Sequence, residues 1–215
     1  MEIIKRIFEE LSEGEADKTE LLTQEALRQG VSPEIILKEG LIAGMNMIGE
    51  RFKKGELFVP EVLLAARAMQ AGMNILKLRL IQTGVKPAGR IIIGTVKGDL
   101  HDIGKNLVAM MLEGAGFEII DLGIDTAPER FIQEVKDKKP QIVALSALLT
   151  TTLPMMKATI ELLKAEGLEG TVKVLVGGAP LSQRYADEIG ADGYAPDAVS
   201  AVAKARELIS LMKIA

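Results

Sequence analysis

The sequence predicts an α/β fold in two parts, a four-helix bundle followed by a five-stranded parallel sheet wound on both faces. Three observations carry that expectation. Up to about residue 84 the apolar residues recur only at helical spacing. GVKPAG, residues 84 to 89, then breaks the composition. Beyond it short apolar runs alternate with helical segments, the pattern of a parallel sheet covered on both sides. The predicted boundaries are residues 1–84 for a helical cap domain, 85–89 for a linker and 90–215 for the α/β domain.

In the first part, Ile3, Ile4, Ile7, Phe8 and Leu11 define one helix ending at Gly14. A second runs from about Asp17 to Arg28, with Gly30 as its stop. Ser32-Pro33 supplies a cap and a proline at the first helical position of a third, which continues through Leu37, Leu41, Met45 and Ile48 to about Lys54. Pro60 opens a fourth, up to Gly84. Short connections between four helices suggest a bundle. Glycine inside a helix costs up to about 1 kcal/mol relative to alanine. Close backbone approach would justify Gly40 and Gly44, spaced four apart. Between Arg51 and Pro60 the reading is a loop with bulky apolar side chains, buried against the bundle or serving as a lid over a ligand.

In the second part strands are expected at 91–96, 118–122, 141–146, 172–177 and near 192–195. Helices are expected at 103–115, 127–138, 152–166, 182–189 and 197–213.

Composition sets the outer limits. A chain of 215 residues has ample length for real cores. Its net charge of −4 and the lack of a basic cluster with interleaved aromatics argue against nucleic acid. No apolar run is long enough for a membrane span, and MEIIKRIFEE is not signal-like. The absence of cysteine leaves no disulfide framework, which fits a cytoplasmic protein.

The chemistry concentrates in IIIGTVKGDLHDIGKN, residues 91 to 106. An apolar run enters a turn holding Gly94 and Gly98, followed by Asp99, His101, Asp102, Gly104 and an apolar-periodic segment. This reads as a buried strand, a polar loop at its C-terminal end and a helix, the place where ligands bind in open α/β sheets. His101 is the only histidine. A histidine two residues after a carboxylate invites a metal reading, because a ligating imidazole has its second nitrogen held by such a group. Without cysteine and with one histidine, a tetrahedral zinc site is hard to assemble. A metal held here needs most of its ligands from elsewhere, as a macrocycle provides. The plainer alternative, a histidine decorating a loop or helix start, stays open at this point.

Three more loops follow strand ends: Ser146 to Thr152, Gly177-Gly178-Ala179-Pro180, and Gly190 to Tyr194. With strand order 2-1-3-4-5, the His101 and Ser146 loops flank one crevice at the topological switch point. Gly94-x-x-x-Gly98 lacks dinucleotide spacing, and no Walker loop is present. A phosphoacceptor domain would leave the helical preface unexplained.

Together, Asp99-x-His101-x-x-Gly104, Ser146-x-Leu148 and Gly177-Gly178 resemble the cobalamin-binding module of corrinoid proteins, a Rossmann-like (flavodoxin-like) domain. GMNMIGERFKKGELFVPEVL looks like the helical cap preceding that module in methionine synthase and in small methyltransferase corrinoid proteins. The resemblance covers nearly the whole chain. It implies that His101 is the lower axial ligand to cobalt and that Asp99 is its hydrogen-bonded carboxylate. Thr152 stands where methionine synthases have a serine completing that relay. By the same resemblance Ser146 and Thr150 contact the nucleotide base, and Gly98, Gly104, Gly177, Gly178 and Gly193 let backbone approach the corrin and its tail. Asp102, Ile103 and Leu148 complete the implied corrinoid contacts of this domain. Phe52 and Val59 match apolar positions of the cap over the methyl face.

The function so implied is a methyl carrier of a multicomponent methyltransferase system, with cobalamin or a related corrinoid as cofactor. A donor-specific methyltransferase would load the methyl group and an acceptor methyltransferase would remove it. A reductive activation protein would be a third partner. Whether to call such a carrier an enzyme is open, since no substrate site of its own is visible. The linker would act as a hinge as the cap moves. Two rivals share the binding module: a cobamide-binding sensor and the small subunit of a carbon-skeleton mutase. Sensors normally carry a DNA-binding head, which is not expected before the first helix. Mutase subunits lack the helical preface.

Overall fold

The computed structural model describes residues 2–84 and 86–212. The backbone divides into two compact units. One comprises the chain through Ala88 together with Gly114–Gly116, and the other comprises Gly89–Glu113 and the chain from Phe117 onward. Val85 of the expected linker, and residue 213 of the expected last helix, lie outside the described residues.

The helical unit contains α1 (Glu2–Ser12), α2 (Ala16–Arg28), α3 (Pro33–Ile35), α4 (Ala43–Lys53) and α5 (Val59–Thr83). Ser32 caps α3 as its spacing predicts, its hydroxyl accepting from the Ile35 N–H at 3.2 Å. The expected third helix is continuous but not uniformly α. Ile36–Ile42, between α3 and α4, winds as a π-helix. That shift in winding puts Ile36, Leu37, Gly40 and Leu41 on the buried side, and a 3.6-residue pattern cannot announce it. The glycine pair does mark close packing. A Cβ on Gly40 would lie 3.0 Å from the Ile7 side chain, and one on Gly44 2.8 Å from Leu11.

The segment expected as a loop from Arg51 to Pro60 is shorter than that. Helix α4 continues through Phe52 and Lys53, and α5 begins at Val59. Phe58 and Val59 are exposed rather than buried in the bundle.

The second unit is a sheet of five parallel strands in the order β2-β1-β3-β4-β5. The strands are β1 (Arg90–Thr95), β2 (Glu118–Asp121), β3 (Ile142–Ser146), β4 (Lys173–Gly177) and β5 (Gly193–Ala195). Between and after them run α6 (Ile103–Gly114), α7 (Pro128–Lys138), α8 (Leu153–Ala165), α9 (Gln183–Ile189) and α10 (Ala198–Met212). Along the central strands alternate residues serve opposite faces. Ile92, Val143, Leu145, Val174 and Val176 pack with Phe131 and Val135 of α7 and with Met156 and Ile160 of α8. Ile91, Ile93, Ala144 and Leu175 face the other way, toward the side where α10 covers β4 and β5.

Gly94 belongs to β1 and not to the turn after it. Its missing Cβ makes room for the Phe131 ring, which would otherwise stand 2.8 Å away. Register aligns Thr95 with Ser146 and Ser146 with Gly177, so the central strands end level with one another. The loops leaving that edge build the site.

Candidate functional site

The loop between β1 and α6 turns sharply, with the Asp99 N–H donating to the Val96 carbonyl at 3.1 Å. Gly98 takes φ +82°, a conformation that costs a side-chain-bearing residue and not glycine. The turn drives Asp99 inward to full burial and leaves the His101 ring half-exposed.

All of the carboxylate's hydrogen-bonding capacity is used. Oδ1 accepts from the His101 N–H at 3.1 Å and stands 2.7 Å from His101 Nδ1. Oδ2 accepts from the Leu148 N–H at 2.7 Å, the Leu149 N–H at 3.1 Å and the Thr152 hydroxyl at 2.8 Å. Thr152 Oγ1 also lies 2.9 Å from the Leu149 carbonyl, but its one proton goes to the charged acceptor. Burial alone would raise the Asp99 pKa. The Leu148 N–H, the His101 ring and N–H, and the Thr152 hydroxyl outweigh it and hold the group well below the ordinary carboxylate range. Asp99 is therefore an anion, so Nδ1 carries the proton facing it and the lone pair of the neutral imidazole is on Nε2. Thr95 fixes the loop from below, its hydroxyl donating to the His101 carbonyl at 2.9 Å.

The sequence-predicted residues thus fall into groups. His101, Asp99 and Thr152 are brought together. Leu148 joins them through its main chain, while its side chain is exposed. Ser146 is half-buried at the end of β3, and Thr150 is exposed in the loop beyond it. Asp102 is tied to its own helix: Asn106 donates to its carbonyl at 2.7 Å and to its carboxylate at 3.0 Å. Ile103 is 82 % exposed at the start of α6, and Gly104 beside it has nothing within 4 Å of where a Cβ would stand. Gly177 and Gly178 pass over the neighbouring loops, where a Cβ on Gly178 would fall on the Ala147 carbonyl oxygen. Gly193 is buried, and its missing Cβ gives room to Lys204 of α10, 2.8 Å from the would-be atom. Packing within the sheet unit therefore gives Gly193 a reason of its own. Phe52, half-buried, and Val59, exposed, belong to the helical unit.

Two main-chain donors of the site, and one buried ion pair of α6, go beyond the sequence-predicted side chains. The Leu148 and Leu149 N–H groups leave no residue-type signal. Lys105 left one, a cation within the apolar periodicity of α6. It is buried and pairs with Asp121 Oδ2 at 2.5 Å.

Residues 89–203 match the family model described as a B12 binding domain, and residues 3–77 match a second model of the same description. The chain belongs to the B12-binding corrinoid protein family. Dimethylamine corrinoid protein 3 of Methanosarcina acetivorans is 50 % identical over 185 residues, which are 86 % of this chain and 87 % of the relative. Trimethylamine corrinoid protein 2 of the same organism is 44 % identical, with 97 % of each chain covered. Among solved structures, the methanol:cobalamin methyltransferase complex MtaBC from Methanosarcina barkeri is similar with a TM-score of 0.86 and 29 % identity, over 97 % of this chain and 80 % of that one. The fold expected from the sequence, including its strand order, is the fold of this family. Its cofactor is cobalamin or a related corrinoid.

The residues present suit that group. Among the described residues no three His, Cys, Asp or Glu side chains converge to hold a bare metal ion. What the site offers is one outward imidazole nitrogen, fitting a metal that brings its other ligands in a ring. Leu100 and Ile103, next to His101 in the chain, and Leu148 and Leu149, whose N–H groups hold Asp99, are exposed apolar side chains of the kind a macrocycle would cover. No described helix is long and apolar enough to cross a membrane.

Gly104 allows a sharp check of this arrangement. With open space above it, Gly104→Ala is expected to leave the unliganded protein as stable as before, or up to about 1 kcal/mol more so. If the macrocycle lies over Gly104, the new methyl meets it and corrinoid affinity, followed by spectrophotometric titration, falls about tenfold, near the lower end of what overpacking costs. Equal affinity would place the macrocycle elsewhere.

Proposed function

We propose that this chain is the methyl-carrying corrinoid protein of a methylamine methyltransferase system. The observation that carries the reading is the relay from Thr152 through buried Asp99 to an otherwise unencumbered His101, in a chain of the B12-binding family. Amine donors are favoured over methanol because the dimethylamine and trimethylamine relatives are 50 % and 44 % identical, against 29 % for the methanol complex.

When bound, the corrinoid supplies a cobalt centre able to accept and release a methyl group. His101 would hold it through Nε2. Asp99 keeps the Nδ1 proton in place, fixing the tautomer and making the imidazole a better donor. The five donors around Asp99 stabilise its anion, so the proton stays on the imidazole while His101 is a ligand. Asp99 would accept from Nδ1–H whether or not Nε2 holds the metal. Ser146, Thr150, Gly98, Gly177, Gly178, Asp102 and Ile103 are proposed contacts of the corrinoid and its tail, and Phe52 and Val59 are proposed apolar contacts. A donor-specific methyltransferase, an acceptor methyltransferase and a reductive activation protein are the proposed partners.

The test is the EPR spectrum of protein reconstituted with cob(II)alamin, with natural-abundance or nitrogen-15 histidine. Ligation by His101 is expected to give a triplet superhyperfine splitting that becomes a doublet with the label. A bound corrinoid indifferent to the label would remove His101 from the metal. Absence of binding would overturn the reading as a whole.

A further inference from the structure

The loop that carries His101 is braced from its far side by the segment following β2. The Gly123 carbonyl accepts from the Thr95 N–H at 2.9 Å, and the Thr126 N–H donates to the Thr95 carbonyl at 2.9 Å. Val96 and Thr126 form a parallel bridge. Between these ties Asp125 holds the turn itself at three points. Its Oδ1 accepts from the Gly98 N–H at 2.8 Å, its Oδ2 accepts from Lys97 Nζ at 3.0 Å, and its own N–H donates to the Asp99 carbonyl at 3.0 Å.

Asp125 adopts φ +51° to do this. A non-glycine residue in that region is uncommon, and aspartate and asparagine tolerate it better than others. The strained conformation aims the N–H and the carboxylate at the same turn. The Gly98 N–H first, then Lys97, lower the Asp125 pKa, so an anion makes these contacts. An exposed ion pair with Lys97 contributes little to stability, so holding the fold together is a weak reason for the strain. The residues immediately held are Gly98 and Asp99, and Asp99 orients the imidazole.

We infer that Asp125 is a positioning residue for the His101 ligand, clamping the Gly98–Asp99 turn so that the Asp99 carboxylate meets Nδ1. The inference rests on the corrinoid reading for its functional meaning, though not for its geometry. Removing a partner beyond the ligand itself typically lowers metal affinity by about 10- to 100-fold.

Two variants separate the clamp from backbone strain. Asp125→Gly relieves φ and removes the carboxylate. Asp125→Asn keeps an oxygen for the Gly98 N–H and a backbone that accepts φ +51°, and gives up the Lys97 charge. The readouts are the imidazole nitrogen-15 shifts of the corrinoid-free protein, unambiguous because His101 is the only histidine, and the label-sensitive EPR splitting with cob(II)alamin. Asp125→Gly is expected to let the imidazole exchange between tautomers, to weaken corrinoid binding about tenfold and to diminish the splitting. Asp125→Asn is expected to match the parent in both readouts and in corrinoid affinity by spectrophotometric titration.

Wild-type tautomer and wild-type splitting in Asp125→Gly would overturn the positioning role while leaving the methyl-carrier reading intact. A parent protein that binds no corrinoid, with an Asp125→Gly variant that still frees the imidazole, would do the reverse. If Asp125→Asn fails like Asp125→Gly, the Gly98 hydrogen bond is not the clamp and the inference falls.

Discussion

Asp99→Asn is expected to destabilise the sheet unit by roughly 2–4 kcal/mol, the cost of losing charge-assisted hydrogen bonds and leaving buried donors without an acceptor. Asparagine has nearly the shape of aspartate, so the loss is electrostatic. Five donors converge on the two carboxylate oxygens. In asparagine one of those oxygens becomes an NH2. Turned toward His101, it confronts the main-chain N–H and the protonated Nδ1. Turned the other way, it confronts the Leu148 and Leu149 N–H groups and the Thr152 hydroxyl. Either way at least one main-chain N–H loses its acceptor, at about 1–3 kcal/mol, and the imidazole or the Thr152 hydroxyl has to change tautomer or rotor. The chain has two tyrosines and no tryptophan, and Tyr185 and Tyr194 both lie in the sheet unit, so tyrosine fluorescence in urea reports this unit alone. A urea midpoint equal to that of the parent would mean the carboxylate is not buried among donors as described.

The same carboxylate sets a pH signature with a defined sign. Its folded pKa lies below the unfolded reference of 3.8. The unfolded chain therefore binds the proton more readily, and the stabilisation is complete above that reference and lost as pH falls through and below it. The parent protein should lose this contribution in acid. Asp99→Asn lacks it at every pH, so the two stability curves should approach each other as the solution is acidified.

Much of this was legible in the residues because most elements announce themselves by period. The five strands and the helices that follow them lie within two residues of their expected positions, and the strand order 2-1-3-4-5, the premise that put the histidine loop at a switch point, is the one the sheet has. The resemblance supplied the pairing of His101 with Asp99 and Thr152, and the geometry brings those side chains together. What stayed hidden has a common physical cause. The Leu148 and Leu149 amides are main-chain groups, present whatever the side chain. Asp125 looks like an ordinary loop carboxylate until its φ and three contacts are seen. The π-helical stretch Ile36–Ile42 keeps an apolar pattern that an α-helix would also satisfy. Gly94 falls both within the expected strand 91–96 and in the turn that glycine usually marks; it stays in the strand and clears space for Phe131 across the sheet face.

Gly178→Ala is expected to be as damaging as any single methyl added to this unit, at roughly 3–5 kcal/mol from backbone strain and overpacking together. The glycine has φ +138°, a region closed to alanine, and its Cβ would occupy the position of the Ala147 carbonyl oxygen. The obstacle is main chain, so no side chain can swing aside. Relief requires the Ala147 backbone to move, and Ala147 immediately precedes the Leu148 and Leu149 amides that hold Asp99. Stability and ligand geometry are therefore coupled through one contact. The variant should unfold at lower urea by tyrosine fluorescence, and any folded fraction should show the His101 tautomer exchange expected when Asp99 loses donors. Gly104→Ala is the counterpart, open above and expected to affect corrinoid binding without loss of stability. Should Gly178→Ala fold as tightly as the parent, the close passage of the β4 loop over Ala147 would be disproved, and with it the route by which the Gly177-Gly178 pair supports the histidine relay.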